Sequence, residues 1–325
     1  MFRTAIETIS YDFKLSHDAA LVSIGSCFSD TIGQKLKAAK FSIDVNPYRT
    51  VFHPIAIFEL IQHSLSKSSI EESNIIERDG LFLSHELHSS FVSKSKEGLI
   101  RKFDKINKRV NKRLKKADAL IITFGTSWVF EKKRTQELVS NCHKVPQQEF
   151  NKRLLSLEEI MTGFFAMKEA LDLINPSLKI LLTVSPVRHT KEGLVGNSVS
   201  KSNLLLACHY LEQMAANVHY FPSYEMLMDD LRDYRFFKQD LIHPNQQAID
   251  YIWNNFASAL LTEEAKAICQ ELDKLNERLT HKAFNPTSAS HQDFLKQTLE
   301  KAEKLGEIVD LNKEIGLLKS KIYHD

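Results

Sequence analysis

Short apolar runs alternate with stretches of helical periodicity along most of the chain. The runs are rich in Val, Ile and Leu and bounded by polar residues, which is typical of buried strands. Between them, apolar residues recur every three or four positions, as on the buried face of a helix. This alternation predicts an α/β fold in three layers, with helices on both faces of a parallel sheet. Strands are expected at 20–24, 41–45, 119–124, 178–184 and 218–221, helices at 54–66, 154–174, 200–216 and from Pro244, and a hairpin at 129–140.

A region from about residue 52 to 118 interrupts this alternation between the second and third strands. Asp79-Gly80 separates two short β-rich runs, which predicts a hairpin with a type I′ turn over 75–84. Residues 101–116 hold nine basic residues and one acid, with apolar residues at helical spacing. We therefore expect an amphipathic helix with a solvated basic face. The insertion is expected to cap the carboxyl edge of the sheet.

The chain becomes polar and helical from Thr262 onward. Near its end, apolar residues follow a spacing of three and four: Ile308, Leu311, Ile315, Leu318 and Ile322. Two heptads are short for an independent coiled coil. We therefore expect two parts, an α/β domain over 1–261 and a helical extension over 262–325. The extension is predicted to pack on the domain or to form a homodimer with a second copy.

The composition excludes several classes of protein. The formal net charge is +2, from 43 basic and 41 acidic residues, so neither nucleic acid nor an anionic membrane is an expected partner. No apolar run approaches the ~20 residues of a membrane helix, and residues 1–16 lack the apolar core of a signal peptide. The four cysteines show no C-x-x-C spacing. We expect a cytoplasmic protein with free thiols and with no metal or cofactor.

The stretch from 22 to 30 carries the clearest chemical signal. An apolar strand ends at Gly25, and a helix is expected to start near Ser29. Ser26 and Cys27 therefore lie on a sharp strand-to-helix turn. Such a turn leaves backbone N–H groups unpaired, and hydrolases of the α/β type hold their nucleophile there. From these residues alone, an unreactive cysteine packed under the helix is an equal alternative.

Gly25-Ser26-Cys27-Phe28 resembles the signature of the GSCFA family, a branch of the SGNH (GDSL-like) hydrolase superfamily. Further stretches fit this family in the same order: Asn46-Pro47-Tyr48, His88-Ser89-Ser90-Phe91, Gly125-Thr126-Ser127-Trp128, Asn141-Cys142-His143-Lys144-Val145-Pro146, Ser185-Pro186-Val187, Ser200-Lys201 and Asp240-Leu241-Ile242-His243-Pro244. The resemblance implies a flavodoxin-like sheet with strand order 2-1-3-4-5. It also implies an esterase or acyltransferase that acts on an acylated sugar, glycan or small metabolite.

The resemblance implies a catalytic role for Cys27, Asp240 and His243. Set against the superfamily's G-D-S-L signature, Cys27 takes the position of the attacking serine, and Ser26 is the second choice. The superfamily carries its acid and base in a D-x-x-H motif, which Asp240 and His243 match; in a turn, this spacing lets a carboxylate orient an imidazole. A thiol at a helix N-terminus beside a histidine is expected to have a lowered pKa. A thioester intermediate suits acyl transfer as well as hydrolysis.

The expected oxyanion donors differ from the superfamily pattern. The Cys27 backbone N–H is the first expected donor. The superfamily adds a glycine after the second strand and an asparagine after the third. Here Arg49 stands at the position of the glycine, and Ser127, two residues after Gly125, stands at that of the asparagine. Backbone N–H groups, including that of Arg49, or the hydroxyl of Thr126 are expected to substitute.

Other residues of these family stretches are expected to line the pocket without an assigned role: Asn46, His88, Cys142, His143, Lys144, His189 and Trp128. A structural, hydrogen-bonded role is the alternative for each histidine, and core packing is the alternative for the tryptophan. The alternative to an enzyme is a non-catalytic binding module that keeps the fold, since the usual oxyanion asparagine is absent. The state of the Cys27 thiol near neutral pH separates the two.

Overall fold

A five-stranded parallel sheet lies at the centre of the computed structural model, which describes residues 3–7, 9–281 and 284–322. In chain order, the strands are β1 Ala20–Gly25, β2 Ser42–Val45, β3 Ile75–Arg78, β4 Leu81–Ser84, β5 Ala119–Phe124, β6 Trp128–Lys132, β7 Leu138–Val139, β8 Phe150–Leu154, β9 Lys179–Val184 and β10 Val218–Tyr220. The α-helices are α1 Cys27–Ala38, α2 Pro54–Ser66, α3 Lys96–Leu114, α4 Leu157–Asp172, α5 Gly193–Met214, α6 Ser223–Glu225, α7 Gln246–Leu260, α8 Glu263–Thr280, α9 Ala289–Gly306 and α10 Asn312–Lys321.

The central sheet has the spatial order β2-β1-β5-β9-β10, and each neighbouring pair is parallel. This is the predicted flavodoxin-like order 2-1-3-4-5, which is confirmed. The register aligns Gly25 with Thr123 and Phe124 with Val184. The ends of β1, β5 and β9 therefore lie side by side at the carboxyl edge of the sheet, where open α/β sheets bind their ligands.

Alternate residues of the sheet face two separate cores, because successive side chains of a strand point in opposite directions. Leu120 and Ile122 of β5 join a core formed with α2, α3, α4 and α5. Ile121 belongs to the other core, with Phe28 of α1 and Phe256 of α7. Every residue of β5 is buried as a result. Helices on both faces give the three-layer α/β architecture that the sequence predicts.

The insertion between β2 and β5 completes one layer of this fold. α2 begins and ends at the predicted residues and buries Phe58 in the core that α3 completes with Phe103. The hairpin of β3 and β4 has positive φ at Asp79 and Gly80, +52° and +73°, as the predicted type I′ turn requires. After β4, the chain carries His88 to a cleft beside β2.

Some boundaries differ from those expected. α1 begins at Cys27 rather than near Ser29, because Ser26 caps it. Pro244 precedes α7, whose N-cap is Asn245. The sequence pattern does not predict β8, a polar segment that pairs antiparallel with β6 and, together with β7, forms a three-stranded sheet. Pairing with β6, rather than local periodicity, makes this segment a strand.

The three C-terminal helices, α8, α9 and α10, pack around a core of their own that includes Leu272 and Leu318. They also contact the rest of the chain. Cys269 of α8 packs with α1 and α7, and Lys40 Nζ lies 2.6 Å from Glu314 Oε1 in an ion pair. The extension is therefore held by apolar and ionic contacts. The domain boundary after residue 261 and the homodimer stay predictions.

Three further properties bear on the site. In the described part of the chain, no helix is both long enough and apolar enough to cross a membrane. The four cysteines are free thiols, as expected; Cys27 and Cys142 are half-buried, and Cys208 and Cys269 are buried. Within the described ranges, no group of three or more His, Cys, Asp or Glu side chains is arranged to hold a metal ion.

Candidate active site

The turn between β1 and α1 depends on Gly25, whose φ is +150°. A Cβ at this position would lie 2.2 Å from the carbonyl oxygen of Thr123 in β5, so only glycine fits without a shift of the backbone. The Ser26 N–H continues this contact and donates to the same oxygen at 3.0 Å. The turn is therefore packed against β5, and it places the start of α1 at the carboxyl edge of the sheet.

Ser26 and Cys27 have different environments at the start of α1. Ser26 is 1% exposed, and its Oγ accepts a hydrogen bond from the Phe28 N–H at 3.3 Å as the N-cap. Cys27 is the first residue of the helix and is half-buried. The backbone N–H groups of Cys27 and Phe28 favour the thiolate, but that of Phe28 already donates to Ser26 Oγ. The thiol, rather than the serine hydroxyl, is the more accessible nucleophile.

The pKa of Cys27 is raised above its ordinary value, so the predicted lowering is wrong. Burial of the thiol is the largest cause, and the carboxylate of Asp30 adds to it. The amine of Lys201 and the two backbone N–H groups act in the opposite direction. Burial outweighs them because a charged sulfur loses its hydration there. Sequence spacing carries no information on that loss.

Asp240 and His243 form a hydrogen-bonded pair in a tight turn before α7. Nδ1 of His243 donates to Asp240 Oδ2 at 2.8 Å, while Oδ1 accepts the N–H groups of Ile242 and His243 at 2.9 and 3.0 Å. The N–H groups of His243 and Ile242, followed by the imidazole, lower the pKa of Asp240 to about 2. With Nδ1 bound to the carboxylate, Nε2 is the nitrogen left to exchange protons.

Arg188 attaches this turn to the segment that follows β9. Its N–H donates to the carbonyl of Ile242 at 3.3 Å, and its Nη1 donates to that of Leu241 at 3.1 Å. Its guanidinium also stacks on Phe237, 4.2 Å from the ring centroid. Since β9 ends at the carboxyl edge of the sheet, the Asp–His turn lies at the same edge as the start of α1.

His189 lies near both the Asp–His turn and the buried Lys201 at the carboxyl edge of the sheet. Its pKa is lowered to about 3, by burial first and then by Lys201, Lys191 and His243. The ring packs edge-on against Phe52, with centroids 5.5 Å apart. His189 is therefore a neutral imidazole close to both His243 and Lys201. It is one of the predicted pocket residues, but it is not among the described residues that line the cleft beside β2.

The predicted oxyanion donors at the end of β5 are engaged in internal hydrogen bonds. The N–H groups of Gly125 and Thr126 donate to the carbonyl of Phe52 at 2.7 and 3.1 Å. The Ser127 N–H donates to Ser200 Oγ at 2.7 Å, and the Thr126 hydroxyl lies 3.0 Å from the same oxygen. The expected substitution for the missing asparagine does not occur here. These groups instead join β5 to α2 and α5.

The turn after β2 supports the nucleophile rather than the oxyanion. Asn46 Oδ1 accepts the Gly25 N–H at 2.8 Å and so braces the turn before Cys27. Arg49 has φ +69°, which explains why the superfamily pattern has glycine at this position. Its N–H donates to the Asn46 carbonyl at 2.8 Å. The expectation that this N–H serves an oxyanion is therefore corrected, because the turn already uses it.

A polar cleft of about 460 Å³ opens beside this turn. Asp30, Asn46, Arg49 and His88 line it, so three of the predicted residues meet there. The pKa of His88 is lowered by burial and then by Arg49, while Asp30 opposes them. Asp30 also acts on Cys27. The cleft and the thiol therefore share a charged neighbour, although Cys27, Asp240 and His243 are not among the described residues that line the cleft.

Four other predicted residues lie away from the cleft. His143 is 5% exposed and its Nε2 bonds to the carbonyl of Ser84 at 2.6 Å. Trp128 donates from Nε1 to the backbone of α5 at 3.1 Å. Burial raises the pKa of Cys142 to about 11, and Lys144 is exposed. None of these four is among the described side chains that line the cleft.

Lys201 also lies at the carboxyl edge of the sheet, although the sequence motifs predict no role for it. It is 1% exposed, and its Nζ donates to the carbonyls of Gly125 and Ser185, each at 2.6 Å. Burial lowers its pKa to about 7. The sequence contains a signal that could have found it. Lys201 shares a spacing of three and four with Leu204 and Cys208, which places a lysine on the buried face of α5.

The fold and this edge define an α/β protein whose parallel sheet carries a thiol and an Asp–His pair at one end. Residues 20–256 match the GSCFA family, and residues 272–324 match the GSCFA domain protein, C-terminal domain. Since the first match covers most of the chain, the protein belongs to the GSCFA family. The resemblance drawn from its motifs is confirmed. No curated protein matches the sequence significantly.

The solved structures to which this chain is similar include the following three. One is a protein from Streptococcus pneumonia provisionally assigned as a platelet activating factor, with 10% identity, 74% of this chain and 82% of that chain covered, and a TM-score of 0.39. A carbohydrate esterase family 3 protein from Talaromyces cellulolyticus has 10% identity, 79% and 99% coverage, and a TM-score of 0.35. A carbohydrate esterase family 2 enzyme plus carbohydrate binding domain from Corynascus thermopiles (Myceliophthora fergusii) has 15% identity, 47% and 37% coverage, and a TM-score of 0.28. These likenesses assign no activity to this chain.

Proposed function

We propose that the protein is an acyl esterase or acyltransferase in which Cys27 is the nucleophile and His243, held by Asp240, carries protons. The observation that carries this proposal is the arrangement at the carboxyl edge of the sheet. A half-buried thiol occupies the first position of α1, and the Asp–His pair, 2.8 Å apart, is attached to the segment after β9 on the same edge. Ser26 is less suited, because its Oγ caps α1.

In the first half-reaction, His243 takes the proton of the Cys27 thiol, and the resulting thiolate attacks the acyl carbon. A C–S bond forms, the C–O bond to the leaving alcohol breaks, and the leaving oxygen takes a proton from the His243 imidazolium. Asp240 stabilises that cation through Nδ1. The Cys27 N–H, the first expected donor, is the oxyanion donor in this proposal, because the Phe28 N–H already donates to Ser26 Oγ. The donors predicted at Arg49 and Gly125 are engaged elsewhere.

In the second half-reaction, neutral His243 takes a proton from water or from the hydroxyl of an acceptor. The oxygen of that molecule attacks the thioester, the C–S bond breaks, and the thiolate of Cys27 forms again. Water gives hydrolysis, and an acceptor hydroxyl gives acyl transfer. Because Nε2 is the nitrogen left after Nδ1 binds Asp240, one imidazole serves both steps in turn.

The cleft favours a substrate rich in hydroxyl groups. Its volume of about 460 Å³ is within the range of pockets that hold small molecules. Asp30, Thr50 and His88 offer both donors and acceptors to hydroxyl groups, and Arg49 adds a cation for an acidic group. An acylated sugar, glycan or small hydroxylated metabolite fits this lining, with the ester directed toward Cys27.

The test is detection of a covalent adduct by intact mass after incubation with a panel of activated acyl esters and acyl thioesters. The wild-type protein should gain one acyl group on Cys27, located by peptide mapping, and Cys27→Ala should gain none. Cys142→Ala removes the other half-buried thiol and should keep the adduct. His243→Asn should release the acyl group about 10²–10⁴-fold more slowly. Neither adduct nor turnover across the panel would overturn the proposal.

One observation favours a second function, a binding module that keeps the fold without turnover. The pKa of Cys27 is raised by burial, and the donors at the end of β5 are engaged in the fold. In that case, ligands of the cleft would still protect the protein against thermal unfolding, while no acyl adduct would form on Cys27. The same panel, read by thermal shift and by mass, separates the two functions.

A further inference from the structure

The outer face of α5 exposes a group of large apolar side chains. Among the residues that the structure describes, half of the exposed large apolar side chains belong to this one helix: Leu194, Val195, Val199, Leu206, Tyr210 and Met214. Val195 is 80% exposed, and Met214 is 64% exposed. Single exposed apolar residues are ordinary on a protein surface, whereas a contiguous group marks a site of interaction. The outer face of α5 is therefore a candidate interface.

Most of these side chains form one stripe along the helix. With 3.6 residues per turn, four of them point in nearly the same direction, and Met214 lies at the edge of the group: Val195, Val199, Leu206 and Tyr210. These five residues are the α5 stripe. The buried face of the helix, which includes Leu204 and Leu211, points the opposite way into the core. Because that face holds the helix in place, the stripe is a fixed surface rather than a loose segment.

The α5 stripe carries no charge. The helix contains two residues with a formal charge, Lys201 and Glu212. Lys201 is buried, and Oε1 of Glu212 accepts the Tyr220 N–H at 2.8 Å. In contrast, α8 exposes charged side chains along its length, including Glu263 and Lys274. Charged residues are depleted at the cores of protein interfaces, so the composition of the stripe is that of an interface core.

The spacing of the α5 stripe makes it complementary to itself. The pair Val195 and Met214 is centred between positions 204 and 205. The pair Val199 and Tyr210 has the same centre. A twofold axis through that point therefore places Val195 of one copy beside Met214 of the other, and likewise Val199 beside Tyr210. A twofold interface requires this reciprocity, because residue i contacts residue j wherever j contacts i.

The middle of the stripe favours antiparallel over parallel packing. Between Val199 and Leu206, the outward position belongs to the small residue Ser202, with half-buried Asn203 beside it. In an antiparallel pair, Leu206 of each copy lies over Ser202 and Asn203 of the other and fills the space there. In a parallel pair, Ser202 would face Ser202 and leave that space empty. Antiparallel packing also brings the positive end of each helix dipole beside the negative end of the other.

We propose that the protein forms a twofold homodimer in which α5 of one copy packs antiparallel on α5 of the other. α5 has 22 residues, so it is about 33 Å long, and with its side chains it is about 10 Å across. A standard interface buries about 800 Å² of each partner, which is more than one helix face of this size supplies. α4 packs beside α5 and ends at the exposed Leu173, which widens the apolar surface. We expect a dissociation constant in about the micromolar range.

The first test is sedimentation equilibrium of the full chain from about 1 μM to about 500 μM. The wild type should change from monomer to dimer over this range. Leu206→Lys brings two like charges to the centre of the interface, so it should raise the dissociation constant at least about 30-fold. A wild type that stays monomeric throughout would overturn the proposal. If that monomer then sediments with phosphatidylcholine vesicles, the stripe binds a membrane surface instead of a second copy.

A second variant covers the case in which Leu206→Lys does not fold, which its thermal unfolding at low concentration reveals. Ser202 is exposed, so Ser202→Lys removes no apolar contact of the monomer. Its new charge lies at the same centre of the interface, and it should weaken the dimer in the same direction. Folded variants that dimerise like the wild type would refute the α5 interface.

Ile308→Lys is the matched control. Ile308 is 64% exposed and follows α9 in the C-terminal extension. The variant introduces the same charge at another exposed apolar position, and it should leave the dissociation constant unchanged. If Ile308→Lys separates the dimer and Leu206→Lys does not, the two copies meet through the extension, and the role of α5 is refuted.

Oxidation of cysteine variants tests the orientation. In an antiparallel pair, the two copies of residue 195 are about 28 Å apart, as far as positions 195 and 214 of one helix. Val195→Cys alone should therefore form no linked dimer, whereas a mixture of Val195→Cys and Met214→Cys should form one. The wild type, which has four free thiols, gives the background. Linking of Val195→Cys by itself would show a parallel pair and contradict the proposed arrangement.

Neither experiment needs a substrate, so the dimer and the proposed function fail separately. The stripe lies on the outer face of α5, whereas Ser200 and Lys201 on the inner face hold the end of β5. A dimer that Leu206→Lys separates, in a protein that forms no acyl adduct, retains the interface and removes the acyl transfer chemistry. An acyl adduct on Cys27 in a protein that stays monomeric retains the enzyme and refutes the interface.

Discussion

The carboxyl ends of β1 and β5 lie side by side, with Gly25 in register with Thr123, yet their polar groups have different partners. At the end of β1, a half-buried thiol starts α1, and the two backbone N–H groups that begin the helix favour its thiolate. At the end of β5, the N–H groups of Gly125 and Ser127 and the hydroxyl of Thr126 bond within the fold. The end of β1 therefore leaves a thiol partly exposed, whereas the end of β5 uses its polar groups to hold neighbouring segments together.

This difference shows what lies at the position where the family resemblance implies an asparagine. Ser127, at the position of that asparagine, is fully buried and binds Ser200 of α5. Lys201 follows directly, and its Nζ returns to the carbonyl of Gly125. The end of β5 is therefore a clamp on α5 that positions a buried amine.

The largest expected effect comes from Gly25→Ala, which forces the two strand ends apart. The new Cβ would lie 2.2 Å from the Thr123 carbonyl at a φ of +150°, so we expect a loss of at least about 3 kcal/mol in the free energy of unfolding. Urea unfolding measures it. Gly80→Ala also has a positive φ but no neighbour within 4 Å, so it should lose only about 1 kcal/mol. Equal losses would mean that strain alone, not the contact with β5, makes Gly25 necessary.

The second effect concerns the β5 end at low pH. His53 is 4% exposed, and burial lowers its pKa from 6.5 to about 4. Its Nδ1 accepts the Ala56 N–H at 3.2 Å, so Nε2 carries the proton and lies 3.2 Å from the Val139 carbonyl. His53 follows Phe52, whose carbonyl holds Gly125. Protonation at Nδ1 would therefore break the cap of α2 beside the clamp.

Between pH 6.5 and about 4, unfolded His53 binds a proton that folded His53 does not. Stability therefore falls as pH falls through this window, by roughly 3 kcal/mol in total, and this group adds no further loss below it. Urea unfolding at about pH 7 and about pH 4.5 measures the loss. His53→Asn keeps a capping acceptor but does not titrate, so it should lose less stability on acidification than the wild type. The same acid sensitivity in both proteins would show that His53 is not its source.

The elements that burial alone defines could be predicted from the sequence. α2 has the predicted bounds, and the five strands of the central sheet lie where apolar runs predict them. The order of those strands in the sheet, in contrast, follows from the family resemblance. β8 could not be predicted, because its partner β6 lies about twenty residues away and its own residues are polar. Pairing of this kind depends on the tertiary fold rather than on local periodicity.

The candidate site likewise has features that the sequence predicts and features that it does not. Sequence motifs predict the positions of Cys27 and of the Asp240–His243 pair. In the structure, Cys27 lies at a strand-to-helix turn, and Asp240 and His243 are joined by a hydrogen bond between residues i and i+3. The direction of the Cys27 pKa shift could not be predicted, because burial by several elements determines it. Lys201 is visible as a lysine on an apolar stripe, but its approach to Gly125 requires α5 and β5 to meet.

A smaller effect is expected from Ser200→Ala, which removes the clamp without touching the thiol. Ser200 is 1% exposed, and its Oγ accepts the Ser127 N–H. The variant leaves that buried N–H unpaired, so it should lose about 1–3 kcal/mol in the free energy of unfolding. Ser198→Ala, an exposed change on the same helix, is the control and should lose less than about 0.5 kcal/mol. A loss no larger than that of the control would show that β5 does not depend on this contact.

The smallest effect, and the one that assigns the nucleophile, is that of Ser26→Ala. Ser26 Oγ caps α1 through the Phe28 N–H, so the variant should lose about 1 kcal/mol of stability. Ser29 lies one turn further on, also buried, with an Oγ that has no hydrogen-bond partner in the described part of the chain. Ser29→Ala should therefore be nearly neutral, and the difference between the two isolates the cap. Because Ser26 acts through the helix and not on the acyl carbon, Ser26→Ala should still form the acyl adduct, whereas Cys27→Ala should not. An adduct that survives Cys27→Ala but disappears in Ser26→Ala would reverse the assignment, because Ser26 rather than Cys27 would then be the nucleophile.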